Sequence, residues 1–361
     1  MYTKDDKVLL WLDLFENLTY KKKEYILGEF SSPTQLFDEF LSSREILSQI
    51  LTQKLYEQMA YSHNEKSLDS LVENLDKKGI KAVTIYSSDY PEYLLNTDCP
   101  PFVLYCQGDV ALLKSKCFAI VGTRRITNYG RAITEKFTKG LVDAGFTIVS
   151  GLSCGVDTIA HQTTLDKGGK TIAVLAGGFD KIYPDINTNL ANEIAKKGLL
   201  VTEIKPSEIA KNYYFPIRNR IIAGLSKGTL ITEADEKSGA MYTKNYALEY
   251  GRDVFAVPGN ITSSVSMGCN KIIVNGQAKA VCCLDDILDE YNIKFVPKKQ
   301  ESISVSMEEQ IILDMIKDEE VSFQEILDRT KFDTKTLNTL LTTMSLNGLI
   351  KKLAGNLYSA K

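Results

Sequence analysis

At 361 residues, with 44% hydrophobic and 25% charged positions, the chain has the make-up of a globular protein of two or three domains. A net charge of −3 and an isoelectric point near 5.7 exclude a protein that coats nucleic acid by bulk electrostatics, so any phosphate ligand must be held by a local patch. No apolar run reaches about 18 residues and the start is polar and acidic, which predicts a cytoplasmic chain without membrane span or signal peptide; seven cysteines with no CxxC spacing predict neither a disulfide framework nor a zinc site.

From residue 8 to about 75 the apolar residues recur at helical spacing: Leu9, Leu10, Leu12 and Leu14, then Leu36, Phe37, Phe40, Leu41, Ile46, Leu47, Ile50 and Leu51. Gly28 and Ser31-Ser32-Pro33 interrupt them, so residues 1–78 are expected to form a domain of short helices. Between Ile80 and Phe118 the runs shorten around Tyr90-Pro91, Cys99-Pro100-Pro101 and Gly108-Asp109, a pattern of strands and turns.

The centre alternates two patterns. Strands are expected at 118–121, 147–150, 171–176, 199–203, 229–233, 254–257 and 278–282; helices at 128–144, 156–167, 187–197, 216–225, 238–250 and 270–275. Short, wholly apolar strands separated by helices predict an α/β fold, a Rossmann-like doubly wound and mostly parallel sheet over 79–293. The polar stretch KFVPKKQESIS, 294–304, reads as a linker. Residues 305–361 follow with helix patterns at 307–316, 322–329 and 333–346, then apolar 349–353, a turn at Ala354-Gly355-Asn356, and Leu357-Tyr358; three helices and a hairpin make a winged-helix pattern.

Three enzyme signatures fail on inspection. Gly151-Leu152-Ser153-Cys154-Gly155 matches the GxSxG elbow, but the chain has only His63 and His161, and His161 lies two turns along the helix that Ser153 would precede. After the first parallel strand the chain reads Gly122-Thr123-Arg124-Arg125, with arginines where a dinucleotide turn needs glycine, and no Walker A loop occurs. Asp157 and His161, four residues apart, suit a surface or capping hydrogen bond better than a catalytic or metal pair. Neither a cofactor nor a metal is expected.

In a doubly wound sheet, the loops leaving the carboxyl ends of the strands gather along one edge, where ligands bind. Here they are Gly122-Thr123-Arg124-Arg125, Ser150-Gly151-Leu152-Ser153, Ala176-Gly177-Gly178-Phe179, 202–216 and 233–239. Their glycines and free amides could cradle phosphates. Equally, Gly151 and Gly155 could serve only tight turns. The stretch from Phe215 to Ser226 adds Arg218 and Arg220 beside an aromatic ring, either an anion site with a base-stacking face or a surface helix with two solvated arginines. Arg218 and Arg220, two apart, cannot point the same way on a helix, and Arg218 is the first choice for phosphate. The candidate contacts are Gly122, Arg124, Arg125, Ser150, Gly151, Lys211, Phe215, Arg218, Asn219 and Arg220. The same edge would suit a mononucleotide, so the alternative is a Rossmann-like enzyme acting on a nucleotide or sugar phosphate.

These residues resemble, in order, the blocks of the DNA-processing protein A family, also called Smf. They are Tyr90-Pro91-Glu92-Tyr93-Leu94, Ile120-Val121-Gly122-Thr123-Arg124 with Tyr129-Gly130, Ser150-Gly151-Leu152 with Gly155-Val156-Asp157 and His161, and 171–175 with Gly178, Asp180 and Tyr183-Pro184. Phe215-Pro216-Ile217-Arg218-Asn219-Arg220-Ile221-Ile222-Ala223, Thr232-Glu233-Ala234 with Ser238-Gly239, and Gly251 through Gly259 complete the series. The resemblance implies a single-stranded DNA-binding Rossmann-like core with a sterile-alpha-motif (SAM)-like helical domain before it and a winged-helix domain after it. It also implies a homodimer without catalysis that protects incoming strands in natural transformation and loads a RecA-type recombinase onto them. By position, the core DNA-contacting arginine falls on Arg124, the stacking aromatic on Phe215 and further basic residues on Arg218 and Arg220. The family's lysine ahead of the aromatic falls at or next to Asn212, with Lys211 its nearest substitute. The chain departs from the family at IKPSEIAKNYY, 204–214, where a Gly and Pro-rich loop is usual, and at Cys154, where alanine is common. Residues 305–361 carry seven Lys or Arg against nine Asp or Glu, so that domain is expected to contact protein or to play a minor part in DNA binding.

Overall fold

The computed structural model describes residues 2–294, 305–317, 319–353 and 355–360. Beyond Lys294 the expected linker lies outside the described residues, as does Ala354 of the expected turn. The chain divides into two compact units, Met1–Phe295 and Val296–Lys361.

The larger unit begins with six short helices, α1 (Lys4–Asp13), α2 (Tyr20–Gly28), α3 (Pro33–Asp38), α4 (Arg44–Ser48), α5 (Gln53–Ser62) and α6 (Glu65–Lys77). Four of their starts are fixed by side chains that satisfy first-turn amides: Thr3 in a capping box with Asp6, Ser32 ahead of Pro33, Thr52, and Asn64. Trp11 is fully buried, and Phe15, Phe37 and Phe40 meet it edge to face at 5.2–5.6 Å. This core runs on without a break into Ile80, Ala82, Val103 and Tyr105, which lie in and beside the first two strands, β1 (Lys81–Thr84) and β2 (Val103–Gly108). The short helix α7 (Glu92–Leu95) falls between those strands.

Then come β3 (Cys117–Val121), α8 (Asn128–Asp143), β4 (Thr147–Ser150), α9 (Val156–Asp166), β5 (Thr171–Val174), α10 (Thr188–Lys197) and β6 (Leu199–Thr202). After them follow α11 (Tyr214–Leu225), β7 (Gly228–Ile231), α12 (Ala240–Glu249), β8 (Asp253–Ala256), α13 (Ser264–Val274), β9 (Lys279–Ala280) and α14 (Asp285–Leu288). The nine strands form one sheet in the order β1-β2-β6-β5-β4-β3-β7-β8-β9, parallel from β6 to β9, with β2 antiparallel to both β1 and β6. Alternation along β3 shows why its strands read as unbroken apolar runs. Phe118 and Ile120 pack with Phe137, Leu141 and Ala160 of α8 and α9, while Ala119 and Val121 pack with Ile221, Ala247 and Cys269 of α11, α12 and α13. The mostly parallel, helix-covered sheet is therefore the α/β arrangement expected.

Two boundaries differ. Helix α11 starts at Tyr214, two residues before the expected Pro216, because proline in a first turn needs no amide partner. Helix α13 starts at Ser264 rather than residue 270. A Cβ at Gly268 would stand 2.6 Å from the carbonyl oxygens of Ala234 and Asp235, so its bareness lets the helix back onto that loop.

The smaller unit contains α15 (Met307–Ile316), β10 (Val321–Ser322), α16 (Phe323–Thr330), α17 (Thr334–Leu346), β11 (Ile350–Lys352) and β12 (Leu357–Ala360). Its strands order as β10-β12-β11, and Ile312, Ile316, Ile326, Leu337, Leu341, Ile350 and Tyr358 are among the residues of its core. Strand β10, two residues paired to Leu357 and Tyr358, is too short to leave a period in the sequence.

Candidate functional site

From β3 the chain runs outward through β4, β5 and β6, then returns to β7 on the opposite side of β3. That reversal opens a crevice beyond the carboxyl ends of β3 and β7, the place where open α/β sheets take ligands. A cleft of about 630 Å3 lies there. It is lined by Gly122-Thr123-Arg124-Arg125, by Phe215, Arg218 and Asn219 of α11, by the loop carrying Asp235, Lys237, Ser238 and Gly239, and by Tyr242 and Thr243 of α12.

Backbone bonds fix both loops. The Thr123 amide donates to the Glu233 carbonyl at 2.6 Å, and the Arg125 amide to Thr123 Oγ1 at 3.1 Å. The buried Glu233 carboxylate accepts the Thr127 amide at 2.9 Å and the Thr127 hydroxyl at 2.7 Å, closing the turn into α8. Arg124 and Arg125 are left exposed, and neither forms an ion pair among the described residues. The Arg124 guanidinium stands over the Phe215 ring, 5.4 Å from its centroid, and Tyr183 meets that ring edge to face at 5.4 Å.

Arg218 is held differently, with only 5% of its surface exposed. Nη1 donates to the Gly151 carbonyl at 2.6 Å and to the Val174 carbonyl, and Nε to Asn219 Oδ1 at 3.0 Å. The guanidinium thus closes the carboxyl ends of β4 and β5. Gly151 must be glycine for this: a Cβ would lie 2.6–2.8 Å from the guanidinium atoms. Burial, with Arg124 nearby, lowers the Arg218 pKa to about 10, which leaves it charged at neutral pH. Burial also raises Asp157, with Arg218 opposing, and drops His161 to about 3.

The other candidates separate. Ser150 is fully buried and donates to the Ile120 carbonyl at 2.7 Å, so Ser150 and Gly151 lie beneath the floor of the cleft. Lys211 is drawn off to Glu208 at 2.6 Å, and Asn212 occupies the cleft in its place. Arg220 faces away, into a second cavity of about 530 Å3, where it pairs with Glu203 and donates to the Cys99 carbonyl at 2.5 Å. A two-residue step turns a helix by about 200°, so Arg218 and Arg220 could not share a wall. The expectation of Arg218 as a free phosphate contact, and of Lys211 and Arg220 on the same edge, thus gives way to the nearer carbonyls and carboxylates that hold them. Gly122, Arg124, Arg125, Phe215, Arg218 and Asn219 do come together.

The GxSxG match is a turn. Its positive-φ residues are Leu152 (58°) and Gly155 (81°), not Ser153, and a Cβ on Gly155 would lie 2.2 Å from the Thr123 carbonyl oxygen. Asp157 accepts the Ser153 amide at 3.1 Å, the expected capping bond, but it is buried rather than on a surface. His161 Nδ1 contacts Thr171 Oγ1 at 2.7 Å. Among the described residues no cluster of metal-ligating side chains occurs, and no helix is long and apolar enough to cross a membrane.

Sequence reasoning passed over Lys237, Tyr242 and Tyr183. Lys237 was available as the one cation in the 233–239 loop, and Tyr183 as part of Tyr183-Pro184. Counting charged side chains along the cleft gives Arg124, Arg125, Arg218 and Lys237 against Asp157 and Asp235, so the lining is net +2 in a chain of net −3.

A family model described as DNA recombination-mediator protein A matches residues 81–292. The chain is 42% identical to DNA processing protein DprA of Bacillus subtilis over 215 residues, which is 59% of this chain and 72% of that protein. It is 33% identical to protein Smf of Escherichia coli over 304 residues, 81% of each. The X-ray structure of DNA processing protein A from Streptococcus pneumoniae matches with a TM-score of 0.62 at 32% identity, over 82% of this chain and 99% of that one. A structure of the Helicobacter pylori protein, described for its unique single-stranded DNA binding mode, matches with a TM-score of 0.54 at 32% identity, over 59% of this chain and 95% of that one. With a matched span that holds the sheet and its cleft, the chain belongs to the DNA recombination-mediator protein A family.

Proposed function

We infer that the chain binds single-stranded DNA in the cleft between β3 and β7, protects incoming strands during transformation and delivers them to a RecA-type recombinase. The observation that carries this is a pair of exposed arginines outside any described ion pair, one of them over an aromatic ring, on a net-positive cleft of an acidic chain. Guanidinium groups take phosphates, and a ring stacks any base, so the combination binds a strand without reading its sequence. Arg124, Arg125 and Phe215 act as direct contacts. Gly122 and Asn219 line the cleft beside them, while Arg218, Gly151 and Ser150 hold its floor. In this reading the chain is a cytoplasmic homodimer without catalysis. The six-helix segment is its SAM-like part, and the α–β–α–α–β–β order of the smaller unit suits a winged helix.

A cleft of about 630 Å3 would also house a mononucleotide, the ligand of the alternative enzyme reading. Fluorescence polarisation with an oligothymidylate of about 20 residues, longer than the ~4–16 nucleotides a single-strand-binding domain usually covers, separates the two. Tight binding of the oligomer, weak competition by duplex and none by thymidine monophosphate is the expected result. Saturation by the monophosphate would replace this reading with the enzyme. Recombinase filament assembly on the coated oligomer, with and without this protein, tests delivery.

A further inference from the structure

The loop after β7 and the start of α12 bring a further cation and a further ring to the cleft. Lys237 is exposed and forms no ion pair among the described residues. Its amide donates to Asp235 Oδ1 at 2.8 Å, and the Ala240 amide to Ser238 Oγ at 3.3 Å, so the loop's polar groups are used within the loop while the ammonium is not. The neighbouring carboxylate of Glu236 is taken by Lys271 at 2.5 Å. Tyr242, one turn into the chain beyond, is 50% exposed and lines the same cleft. Two bonds join this loop directly to α11 and to the loop after β3. Asn219 Nδ2 donates to the Gly239 carbonyl at 3.1 Å, and Thr123 donates to the Glu233 carbonyl at 2.6 Å.

Besides Arg124 over Phe215, the cleft therefore holds an exposed cation and a half-exposed ring supplied from the β7 side, Lys237 and Tyr242. We propose that Lys237 and Tyr242 form a second half-site, taking a phosphodiester and a nucleobase of the same strand that Arg124 and Phe215 hold, so that the strand runs from the loop after β3 onto the loop after β7. This rests on the single-strand reading above and adds to it that the strand is held by residues of both loops.

The test is oligothymidylate binding as a function of salt for Lys237→Ala, Tyr242→Ala, Tyr242→Phe and Arg124→Ala, with thermal melting to establish that each is folded. One lost phosphate contact on a single strand lowers the salt slope by about 0.7, which is the result expected for Lys237→Ala. Tyr242→Ala should weaken binding about 5- to 150-fold, the range for one base losing its aromatic face, while Tyr242→Phe keeps near-native affinity. Native binding and native slope in both alanine variants, with Arg124→Ala impaired, would overturn the second half-site and leave the single-strand reading standing. Native binding in all of them would remove both. If Tyr242→Ala melts early, Tyr242→Leu supplies the same comparison with the buried part of the side chain kept.

Discussion

The loop after β3 and the first two turns of α11 each carry two arginines, and they hold them in opposite ways. Arg124 and Arg125 ride on a backbone turn whose own polar groups are satisfied by Thr123 and Glu233, so their guanidinium groups remain available. Arg218 and Arg220 sit on a buried helix between sheet and neighbours, and each is engaged: one by the carbonyls of Gly151 and Val174, the other by Glu203 and Cys99. Equal charge thus gives unequal function, because a guanidinium spent on protein carbonyls is not free for a phosphate. In the proposed site the rim serves the ligand and the floor serves stability.

That contrast can be broken at its strongest point first. Arg218→Ala leaves buried carbonyls without a donor and should cost about 3 to 5 kcal/mol in urea unfolding. A protein of native stability that no longer binds DNA would instead make Arg218 a ligand contact. Arg124→Ala should do the reverse, weakening oligothymidylate binding by about 1.5 to 3 kcal/mol while leaving the melting temperature in place, with Phe215→Ala close behind at about 1 to 3 kcal/mol.

Acid should find the floor and spare the rim. His161 is neutral when folded, with its pKa held down to about 3 against 6.5 for the free side chain. Between those values the unfolded chain binds a proton that the folded one does not. His161 therefore costs stability as pH falls below 6.5, by up to about 1.4 kcal/mol per unit. His161→Gln should flatten that limb of the stability curve relative to the native protein, and an unchanged limb would mean the ring titrates freely. The smallest effect sharpens the comparison from the other side. Asn212 lies in the cleft where the resemblance puts a lysine, and Asn212→Lys should tighten single-strand binding by at most about 1 kcal/mol and steepen the salt slope by about 0.7.

The alternation of sheet and helix was legible because strands buried on both faces leave unbroken apolar runs, as in Cys117 to Val121. The divergence of Arg218 from Arg220 was legible too, from helical geometry alone. What Arg218 does was not: its acceptors, Gly151 and Val174, lie 67 and 44 residues away in sequence and meet it only when β4 and β5 are side by side. The engagement of Lys211 was hidden for a related reason, since Glu208 stands three residues off in a loop of no regular period. Lys237 and Tyr242 went unnoticed because only the topological reversal brings them into one cleft with Arg124, a relation that sequence neighbours do not carry.

The continuity between Trp11's surroundings and the first two strands has a practical edge. Trimming the chain to its sheet by removing 1–78 would strip the cover from Ile80, Ala82, Val103 and Tyr105, turning one margin of the sheet into an oily, adhesive flank next to unpaired backbone. Fragments cut there should come out of cells as aggregates. A cut near residue 295 leaves each hydrophobic interior whole, and is where anyone dissecting this molecule should place the knife.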